Sequence, residues 1–416
     1  MKYFKTDGIR MNANDLIFSL LPLKLGKILG QESKKICVGF DTRISSSEIY
    51  DLLVTGIITR GCDVICLDVC PTSLVGYVTK KEDCDYGIMI TASHNPYFDN
   101  GIKIFCSKGE KISPLQELEI EELLKGETQF FPSSELGKVI NGKEYIEEYI
   151  SYMKSLIECT YQGKLLVDTS NGVLSNVFCK IFDGKLDYQI INNCPNGKNI
   201  NDNCGSEHIL NLINEFSYSL VVAFDGDGDR LLMLDENKNL ITGDDLLYLF
   251  SRELNYQKVV TTKMSNLGLE EKLKELNKEV FYSEVGDKRV YKMMKDYSIY
   301  IGGESSGHIL FYNSQFINDG ILTLIKYLNL QNKVIDYPHY FSKTINIRLK
   351  DKIDNYILED LQNRINISLD NGRVYIRKSG TENILRINIQ LKDESKYIEV
   401  IGKLKEKLPY DELLLL

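Results

Sequence analysis

The sequence predicts a multidomain α/β protein, and three observations support this fold class. Short apolar runs alternate with helical patterns, which is typical of βαβ units around mixed or mostly parallel sheets. The alternation starts again near Lys164 and near Lys258, and the last segment has the pattern of a smaller α+β domain. The chain has 416 residues, and a single hydrophobic core rarely organises a chain of this length. We therefore expect four domains, at residues 1–155, 156–240, 241–340 and 341–416.

The predicted elements follow in order along the chain. The first domain has predicted strands at Ile36–Phe40, Asp63–Asp68 and Tyr86–Ile90, a helix at Ser47–Arg60, and a turn at Pro71–Ser73 before a helix to about Lys80. The second and third domains each open and close with a predicted strand: Lys164–Asp168 and Ser219–Phe224, then Lys258–Thr262 and Ile299–Gly302. The last domain has predicted strands at Phe341–Leu349, Gly372–Arg377 and Ile384–Leu391, a helix near Asp354–Ile365, and a final helix.

Composition and charge exclude some classes of protein. Lys and Arg number 50 and Asp and Glu number 59, so the net charge of −9 argues against broad nucleic-acid binding. No apolar run approaches the roughly 20 residues of a membrane-spanning helix, and Met1–Arg10 lacks the apolar core of a signal peptide. We expect a cytoplasmic protein, monomer or homodimer, without membrane or nucleic-acid partners. The ten cysteines form no C-x-x-C pair, which predicts reduced thiols rather than a metal cluster at Cys62, Cys66 and Cys70.

Four polar loops follow predicted strands, one in each domain. We name them the Ser93 loop (Thr91–Pro96), the aspartate loop (Asp225–Arg230), the glutamate loop (Gly302–His308) and the arginine loop (Arg377–Glu382). Ligands of open α/β sheets bind beyond the carboxyl ends of the strands, where these loops begin. Together the loops predict a phosphate carrier, a metal site, a sugar-binding loop and a phosphate-binding loop.

The Ser93 loop and the aspartate loop carry the reactive groups. A hydroxyl directly after a strand can serve as a nucleophile or phosphate carrier, and the adjacent His94 does not imply a Ser–His dyad. Asp225, Asp227 and Asp229 alternate with glycines, so three carboxylates can converge on one hard cation such as Mg²⁺. Without a cation, three clustered carboxylates would repel one another.

Two similar motifs have to be distinguished from the aspartate loop. A calcium EF-hand loop would also place carboxylates at Asp225, Asp227, Asp229 and Glu236, but its sixth position requires glycine and here is Arg230. An aspartyl phosphatase would use Asp225 as its nucleophile, and it predicts an acyl phosphate instead of a phosphoserine.

The other two loops have groups suited to a phosphosugar. Glu304, Ser306 and His308 offer acceptors and donors for sugar hydroxyls. The arginine loop, with Arg386 beyond it, combines two guanidinium groups, two hydroxyls and a glycine whose neighbouring amides can face an anion.

These motifs resemble the α-D-phosphohexomutase superfamily over nearly the whole chain. Several segments are similar to its phosphoglucosamine mutase subgroup: Lys2–Arg10, Asn95–Lys103, Ile200–Ser206 and Met264–Gly268. The resemblance implies three α/β domains and a smaller C-terminal α+β domain around a central cleft. It also implies interconversion of glucosamine 6-phosphate and glucosamine 1-phosphate through a 1,6-bisphosphate, on the way to UDP-N-acetylglucosamine.

The resemblance also implies roles for individual residues. Ser93 would be the phosphoserine and would complete a Mg²⁺ site with Asp225, Asp227 and Asp229. Lys103, Arg10 and His308 would serve or support proton transfer. The residues implied to bind substrate are Arg230, Glu304, Ser306, Arg377, Ser379, Gly380, Thr381 and Arg386. A hexose 1,6-bisphosphate would act as activator and intermediate.

The chain departs from the family pattern at five positions. Lys5 and Met11 replace glycines near Arg10, Ser305 replaces a glutamine of the glucosamine subgroup, and Lys378 and Asn383 replace prolines that flank the arginine loop. Ser305 leaves open a phosphoglucomutase or phosphomannomutase with another sugar preference. A non-catalytic phosphosugar-binding relative is a third alternative, against which the intact Ser93, Lys103 and aspartates argue.

Overall fold

The computed structural model describes residues 2–5, 7–126, 130–158, 161–215, 217–349, 353–369, 371–378, 384–408 and 410–415. The chain forms two compact units. Unit 1 comprises Met1–Leu246 and Ser306–Lys333, and unit 2 comprises Leu247–Ser305 and Val334–Leu416. None of the described helices is long and apolar enough to cross a membrane.

The first part of unit 1 is a seven-stranded mixed sheet with helices. Its strands are β1 (Phe4–Lys5), β2 (Gly8–Asn12), β3 (Lys35–Phe40), β4 (Asp63–Val69), β5 (Tyr86–Ile90), β6 (Asp99–Cys106) and β7 (Val139–Asn141), in the order β1-β2-β6-β5-β3-β4-β7. The helices are α1 (Ala13–Phe18), α2 (Leu21–Leu29), α3 (Ser46–Ile58), α4 (Thr72–Lys81), α5 (Pro114–Lys125) and α6 (Glu144–Ser155). The interior strand β3 buries an apolar run and lies parallel to β4 and β5, whereas β6 lies antiparallel to both β5 and β2.

The second part of unit 1 is a five-stranded mixed sheet. Its strands are β8 (Lys164–Asp168), β9 (Asp187–Ile191), β10 (Leu220–Phe224), β11 (Leu231–Leu234) and β12 (Leu240–Ile241), in the order β12-β11-β10-β8-β9. Helix α7 (Val177–Phe182) and two 3₁₀ turns, Val173–Ser175 and Ser206–Leu212, accompany them. Every side chain of β10 is buried, so this central strand delivers the aspartate loop from the interior of the sheet.

The remaining elements belong to both units. After α8 (Gly243–Glu253), unit 2 contains β13 (Lys258–Thr262), α9 (Leu267–Glu275), β14 (Glu279–Ser283), α10 (Asp287–Asp296) and β15 (Ile301–Gly303), with β13 parallel to β14 and β15. The chain returns to unit 1 for β16 (Ile309–Phe311) and α11 (Gly320–Asn329). Unit 2 then ends with β17 (Phe341–Leu349), α12 (Asn355–Ser368), β18 (Gly372–Lys378), β19 (Ile384–Leu391), a 3₁₀ turn at Glu394–Lys396, α13 (Tyr397–Lys407) and β20 (Tyr410–Leu415). These last four strands form an antiparallel sheet in the order β18-β19-β17-β20.

The predicted α/β fold class is confirmed, and the predicted strands form close to their expected positions. Two local predictions are wrong. The turn expected at Pro71–Ser73 is shorter, because Pro71 is extended and α4 already begins at Thr72. The final helix is not the last element, because β20 follows it and pairs with β17. The domain boundaries and the central cleft stay predictions.

Candidate active site

The three carboxylates of the aspartate loop converge in the interior of unit 1. Asp225, Asp227 and Asp229 are buried, and one oxygen from each lies within 4.8 Å of the others. Gly228 between them has a φ of 75°, a left-handed conformation that favours glycine. The turn after β10 therefore folds three negative charges into one small volume.

Lys103 supplies much of the compensating charge. Its buried Nζ donates to Asp227 Oδ2 at 2.7 Å and to Asp229 Oδ2 at 2.9 Å. Burial lowers the pKa of Lys103, but the carboxylates of Asp227, Asp229 and Asp7 outweigh burial and hold that pKa well above its usual range. Strand β6 provides this ammonium group from the first sheet of unit 1, so the two sheets meet at the site.

The pKa values of Asp225 and Asp229 are shifted in opposite directions because their neighbours differ. Burial raises the pKa of Asp225, and the negative charges of Asp229 and Asp227 raise it further. Burial also acts on Asp229, but Lys103 and His308 outweigh it and hold the pKa of that carboxyl well below its usual range. The group thus has one carboxylate whose charge is poorly compensated by the surrounding side chains.

The donor set fits a divalent cation. Asp227 Oδ2 accepts hydrogen bonds from Thr72 Oγ1 at 2.5 Å and from Lys103, whereas Asp227 Oδ1 is buried and has no hydrogen-bond partner among the described residues. A buried carboxylate oxygen without a donor is costly unless a cation approaches it. Carboxylate oxygens are the ligands that hard divalent cations prefer.

Ser93 presents its hydroxyl to this carboxylate group. Its Oγ donates to Asp225 Oδ2 at 2.6 Å, and its backbone adopts a φ of 52°. His94 Nδ1 lies 3.4 Å from the same Oγ, and burial together with the charges of Arg230 and Arg10 lowers the pKa of His94 to about 2. The shorter contact is to Asp225, so the hydroxyl is oriented towards the aspartate loop rather than towards a histidine base.

Arg10 lies close to Ser93 and Lys103 because β2 and β6 pair in register. Arg10 is opposite Gly101 in that pair, and its Nη1 donates to Asn95 Oδ1 at 3.3 Å. Its Nε is buried without a hydrogen-bond partner among the described residues, so the guanidinium retains a donor for an anion. Lys5 and Met11, which replace glycines of the family pattern, lie in strands β1 and β2, and neither has the positive φ that would favour glycine.

Arg230 and His308 form another side of the site. His308 Nε2 lies 3.1 Å from Asp229 Oδ1 and 3.2 Å from Arg230 Nε. Arg230 also pairs with Glu207 at 2.7 Å, and its backbone forms an antiparallel bridge to His308. The structure therefore brings together, within unit 1, the predicted residues Arg10, Ser93, Lys103, Asp225, Asp227, Asp229, Arg230 and His308.

Of the further predicted residues that the structure describes, Glu304, Arg377 and Arg386 lie in unit 2, and Ser306 is a half-buried turn residue of unit 1. Glu304 is buried after β15 and accepts a hydrogen bond from Gly286 N at 2.9 Å. Arg377 and Arg386 face each other across β18 and β19. Burial lowers the pKa of Arg377, the charge of Arg386 lowers it further, and its Nε is buried without a hydrogen-bond partner among the described residues.

Two like charges opposite each other on a sheet are destabilising, so the arginine pair favours an anion between them. The substituted Lys378 donates to the carbonyl of Ile353. Ser379, Gly380, Thr381 and the substituted Asn383 lie outside the described residues.

Sequence reasoning missed residues that support the site through hydrogen bonds to a carboxylate and to backbone carbonyls. Thr72 orients Asp227 through its hydroxyl, and its backbone N donates to the carbonyl of Asp227 at 3.2 Å. Arg43 and Asn201 donate to backbone carbonyls of the Ser93 loop. The Pro-Thr-Ser turn could have drawn attention to Thr72, but nothing in the sequence indicates which side chains reach these carbonyls.

Comparison with known proteins places this chain in an enzyme class. The sequence models of phosphoglucomutase/phosphomannomutase α/β/α domains I and III match residues 1–130 and 242–340. A solved structure of a phosphoglucomutase/phosphomannomutase family protein from Burkholderia thailandensis superposes with a TM-score of 0.81 at 20% identity, covering 97% of this chain and 96% of that one. Fold and domain matches together define a phosphohexomutase, an enzyme of the isomerase class.

Curated relatives narrow the class. The phosphoglucosamine mutase of Anoxybacillus flavithermus is 36% identical over 419 residues, which cover 93% of this chain and 94% of the relative. The phosphoglucosamine mutase of Staphylococcus aureus (strain bovine RF122 / ET3-1) is 32% identical over 449 residues, which cover 99% and 100%. The chain belongs to the phosphoglucosamine mutase family.

The contact between Thr72 and Asp227 generates a prediction about metal binding. Thr72→Val keeps the side-chain volume but removes the donor to Asp227 Oδ2. We expect divalent-cation affinity to fall by about 10-fold or more, as for other residues that orient metal ligands. Mn²⁺ titration followed by electron paramagnetic resonance measures this affinity. Thr55→Val, on the exposed side of α3, is the matched control, and equal affinities in the two variants would contradict the role of Thr72.

Proposed function

We propose that the protein interconverts glucosamine 6-phosphate and glucosamine 1-phosphate, with Ser93 as the carrier of the phosphoryl group. The observation that carries this proposal is the Ser93 hydroxyl, which lies 2.6 Å from Asp225 within a buried group of three carboxylates. A phosphoryl group on this oxygen would lie beside a cation bound by the same carboxylates. The sugar is proposed from the names of the relatives in A. flavithermus and S. aureus.

The proposed reaction has two phosphoryl transfers that mirror each other. Phosphorylated Ser93 passes its phosphoryl group to the free hydroxyl of the sugar phosphate, which gives a 1,6-bisphosphate and a Ser93 hydroxyl. The bisphosphate turns around, and its other phosphoryl group returns to Ser93. Atoms balance without a co-reactant, because each transfer moves one phosphoryl group one way and one proton the other.

The protons require groups that face the reacting oxygens. Lys103, Arg10 and His308 surround the Ser93 and aspartate loops and are proposed to hold or move these protons. We propose Mg²⁺ as the divalent cation, held by Asp225, Asp227, Asp229 and the phosphoryl group on Ser93. When bound, it neutralises charge on the transferring phosphoryl group. An all-oxygen donor set that leaves room for phosphate is typical of Mg²⁺ sites.

The residues that recognise the substrate are proposed from the sequence motifs. Glu304 and Ser306 are proposed to bind sugar hydroxyls. Arg230, which directly follows Asp229, is proposed as another substrate-binding residue. Arg377, Ser379, Gly380, Thr381 and Arg386 are proposed to hold the phosphate that is not transferred. The facing pair Arg377 and Arg386 supports this role, because its mutual repulsion is relieved by an anion.

The domain organisation is also proposed rather than established. We propose four domains with boundaries near residues 155, 240 and 340, because the strands of the four sheets fall largely within these stretches. A mobile C-terminal domain that carries the arginine loop would retain the bisphosphate while it reorients. The cytoplasmic location and the monomeric or dimeric state stay predictions.

The sugar preference tests the proposed substrate. Purified protein with Mg²⁺ and trace hexose 1,6-bisphosphate is assayed by phosphorus NMR with glucosamine 6-phosphate, glucose 1-phosphate and mannose 1-phosphate. We expect the highest kcat/KM with glucosamine 6-phosphate. A preference for glucose 1-phosphate or mannose 1-phosphate would support the same reaction with a different substrate, which the Ser305 substitution allows. Turnover of none of the three would favour a phosphosugar-binding protein.

The phosphoserine is tested by removing its hydroxyl. Ser93→Ala leaves no oxygen to carry the phosphoryl group, so we expect kcat to fall by more than about 10³-fold. Ser151→Ala, on the exposed side of α6, is the control that should keep normal activity. Acid-stable phosphate on Ser93 of the wild type is expected by mass spectrometry. A hydroxylamine-labile phosphate on Asp225 would instead identify an aspartyl phosphatase.

The proposed phosphate-binding role of the arginine pair is tested at Arg386. Arg386→Gln removes a charged donor, and loss of such a hydrogen bond costs about 1.5–3 kcal/mol, or roughly 10-fold to 100-fold in affinity. We expect KM for the sugar phosphate to rise by about this factor while Ser93 is still phosphorylated by the bisphosphate. Arg364→Gln, an exposed position on α12, is the matched control. An unchanged KM in Arg386→Gln would remove this residue from the phosphate site.

A further inference from the structure

The backbone of Ser93 adopts a conformation that its own side chain disfavours. Its φ of 52° lies in the left-handed region, where a residue with a Cβ is strained. Such a conformation persists only when surrounding contacts enforce it. The carbonyl oxygens of Ser93 and Asn95 receive those contacts. Each accepts one hydrogen bond from Arg43 Nη2, at 2.9 and 2.7 Å, and one from Asn201 Nδ2, at 2.8 and 3.1 Å.

Other hydrogen bonds fix the position of the Arg43 guanidinium. Its buried guanidinium donates from Nε to Asp41 Oδ2 at 2.8 Å and from Nη1 to the carbonyls of Asp99, at 3.0 Å, and Pro96. Asp41 in turn accepts from Thr91 Oγ1 at 2.7 Å, and the same Thr91 oxygen accepts from Ser93 N at 2.8 Å. The Ser93 loop is therefore held at its amide and at its carbonyls by one connected network.

Asn201 approaches the same carbonyls from the part of the chain that carries the aspartate loop. It is buried, and its own backbone N donates to the carbonyl of Ser170 at 3.0 Å. Gly226, between two of the clustered aspartates, packs directly against this contact. A Cβ at Gly226 would lie 2.8 Å from the Ser93 carbonyl oxygen and 2.9 Å from Asn201 Nδ2. Three segments thus meet at one backbone oxygen, and a side chain at Gly226 would separate them.

The hydrogen bond from Ser93 Oγ to Asp225 cannot maintain this geometry through the reaction. It requires the hydroxyl proton, which is absent whenever Oγ carries a phosphoryl group. The bonds from Arg43 and Asn201 end on main-chain oxygens, so they persist in both states of Ser93. Together with the bond from Ser93 N to Thr91, these contacts hold the serine in the same place before and after each transfer.

We propose that Asn201 and Arg43 are positioning residues that keep phosphorylated Ser93 in line with the aspartate loop. The inference rests on the proposed phosphoserine function. Neither side chain touches the reacting oxygen, so neither is a catalytic residue. Loss of the Asn201 amide leaves the two carbonyls with one donor each, and the strained backbone of Ser93 relaxes away from the carboxylate group. Phosphoryl transfer then slows, although the groups that bind the sugar phosphate are untouched.

The test compares Asn201→Ala with Asn203→Ala in the full-length protein. Asn203 lies two residues away, has a positive φ like Asn201, and its exposed side chain donates to Asp202 Oδ1 at 3.0 Å. We expect kcat of Asn201→Ala to fall by about 10-fold to 100-fold with KM changed by less than about twofold, whereas Asn203→Ala keeps both constants. Equal kcat values in the two variants would overturn the positioning role.

A second readout does not depend on turnover. With Mn²⁺ bound, the phosphorus NMR signal of phosphorylated Ser93 is broadened by the nearby paramagnetic ion. We expect less broadening in Asn201→Ala than in the wild type and the Asn203→Ala control, because the phosphoryl group has moved away from the carboxylates. Equal broadening in all three proteins would show that Asn201 does not set this position.

Asn201→Asp separates hydrogen-bond donation from packing and serves if the alanine variant does not fold. It keeps the shape but turns a carboxylate towards two carbonyl oxygens, so a defect at least as large as that of alanine is expected. Wild-type activity in a folded Asn201→Asp protein would overturn the inference. Failure of the proposed function is distinguishable, because wild-type protein would then show neither phosphoserine nor mutase turnover.

Discussion

The mutual repulsion of three buried carboxylates is the constraint on which the rest of unit 1 depends. Asp225, Asp227 and Asp229 lie within 4.8 Å of one another in an interior that offers little solvation. The fold meets this cost partly with the ammonium of Lys103, which contacts two of the three aspartates. The unpartnered oxygen of Asp227 shows that compensation is incomplete, and a divalent cation accounts for the remainder.

This electrostatic constraint explains why the site is assembled from both sheets of unit 1. A turn after β10 can bring carboxylates together, but its own backbone cannot supply the opposing charge. The first sheet contributes Lys103 and Arg10 on paired strands and Ser93 on the loop after β5. Contacts such as those of Thr72 and Asn201 then fix the two parts to each other at the level of single atoms. Chemistry that transfers a phosphoryl group needs this accuracy, because positioning contributes much of the rate.

Unit 2 shows a related use of unfavourable charge. Arg377 and Arg386 face each other where opposite charges would be more stable, and burial together with the charge of Arg386 lowers the pKa of Arg377. In both units, charges of one sign are gathered at a cost in folding stability that a charge of the opposite sign would offset. Such arrangements are characteristic of functional sites rather than of structural ion pairs.

The fold class, most strands and helices, and the positions of the four polar loops could be predicted from the amino-acid sequence. Apolar runs such as that of β10 and the alternation of aspartate with glycine are local patterns, and local patterns are visible in a single chain. Sequence patterns did not predict β20, whose partner β17 lies far away in sequence, or the start of α4 at Thr72. The supporting contacts of Thr72, Arg43 and Asn201 become visible in the folded chain, because each residue bonds to a partner 50 or more residues away in sequence. Hydrogen bonds between distant segments depend on how the sheets pack, and no local pattern records that packing.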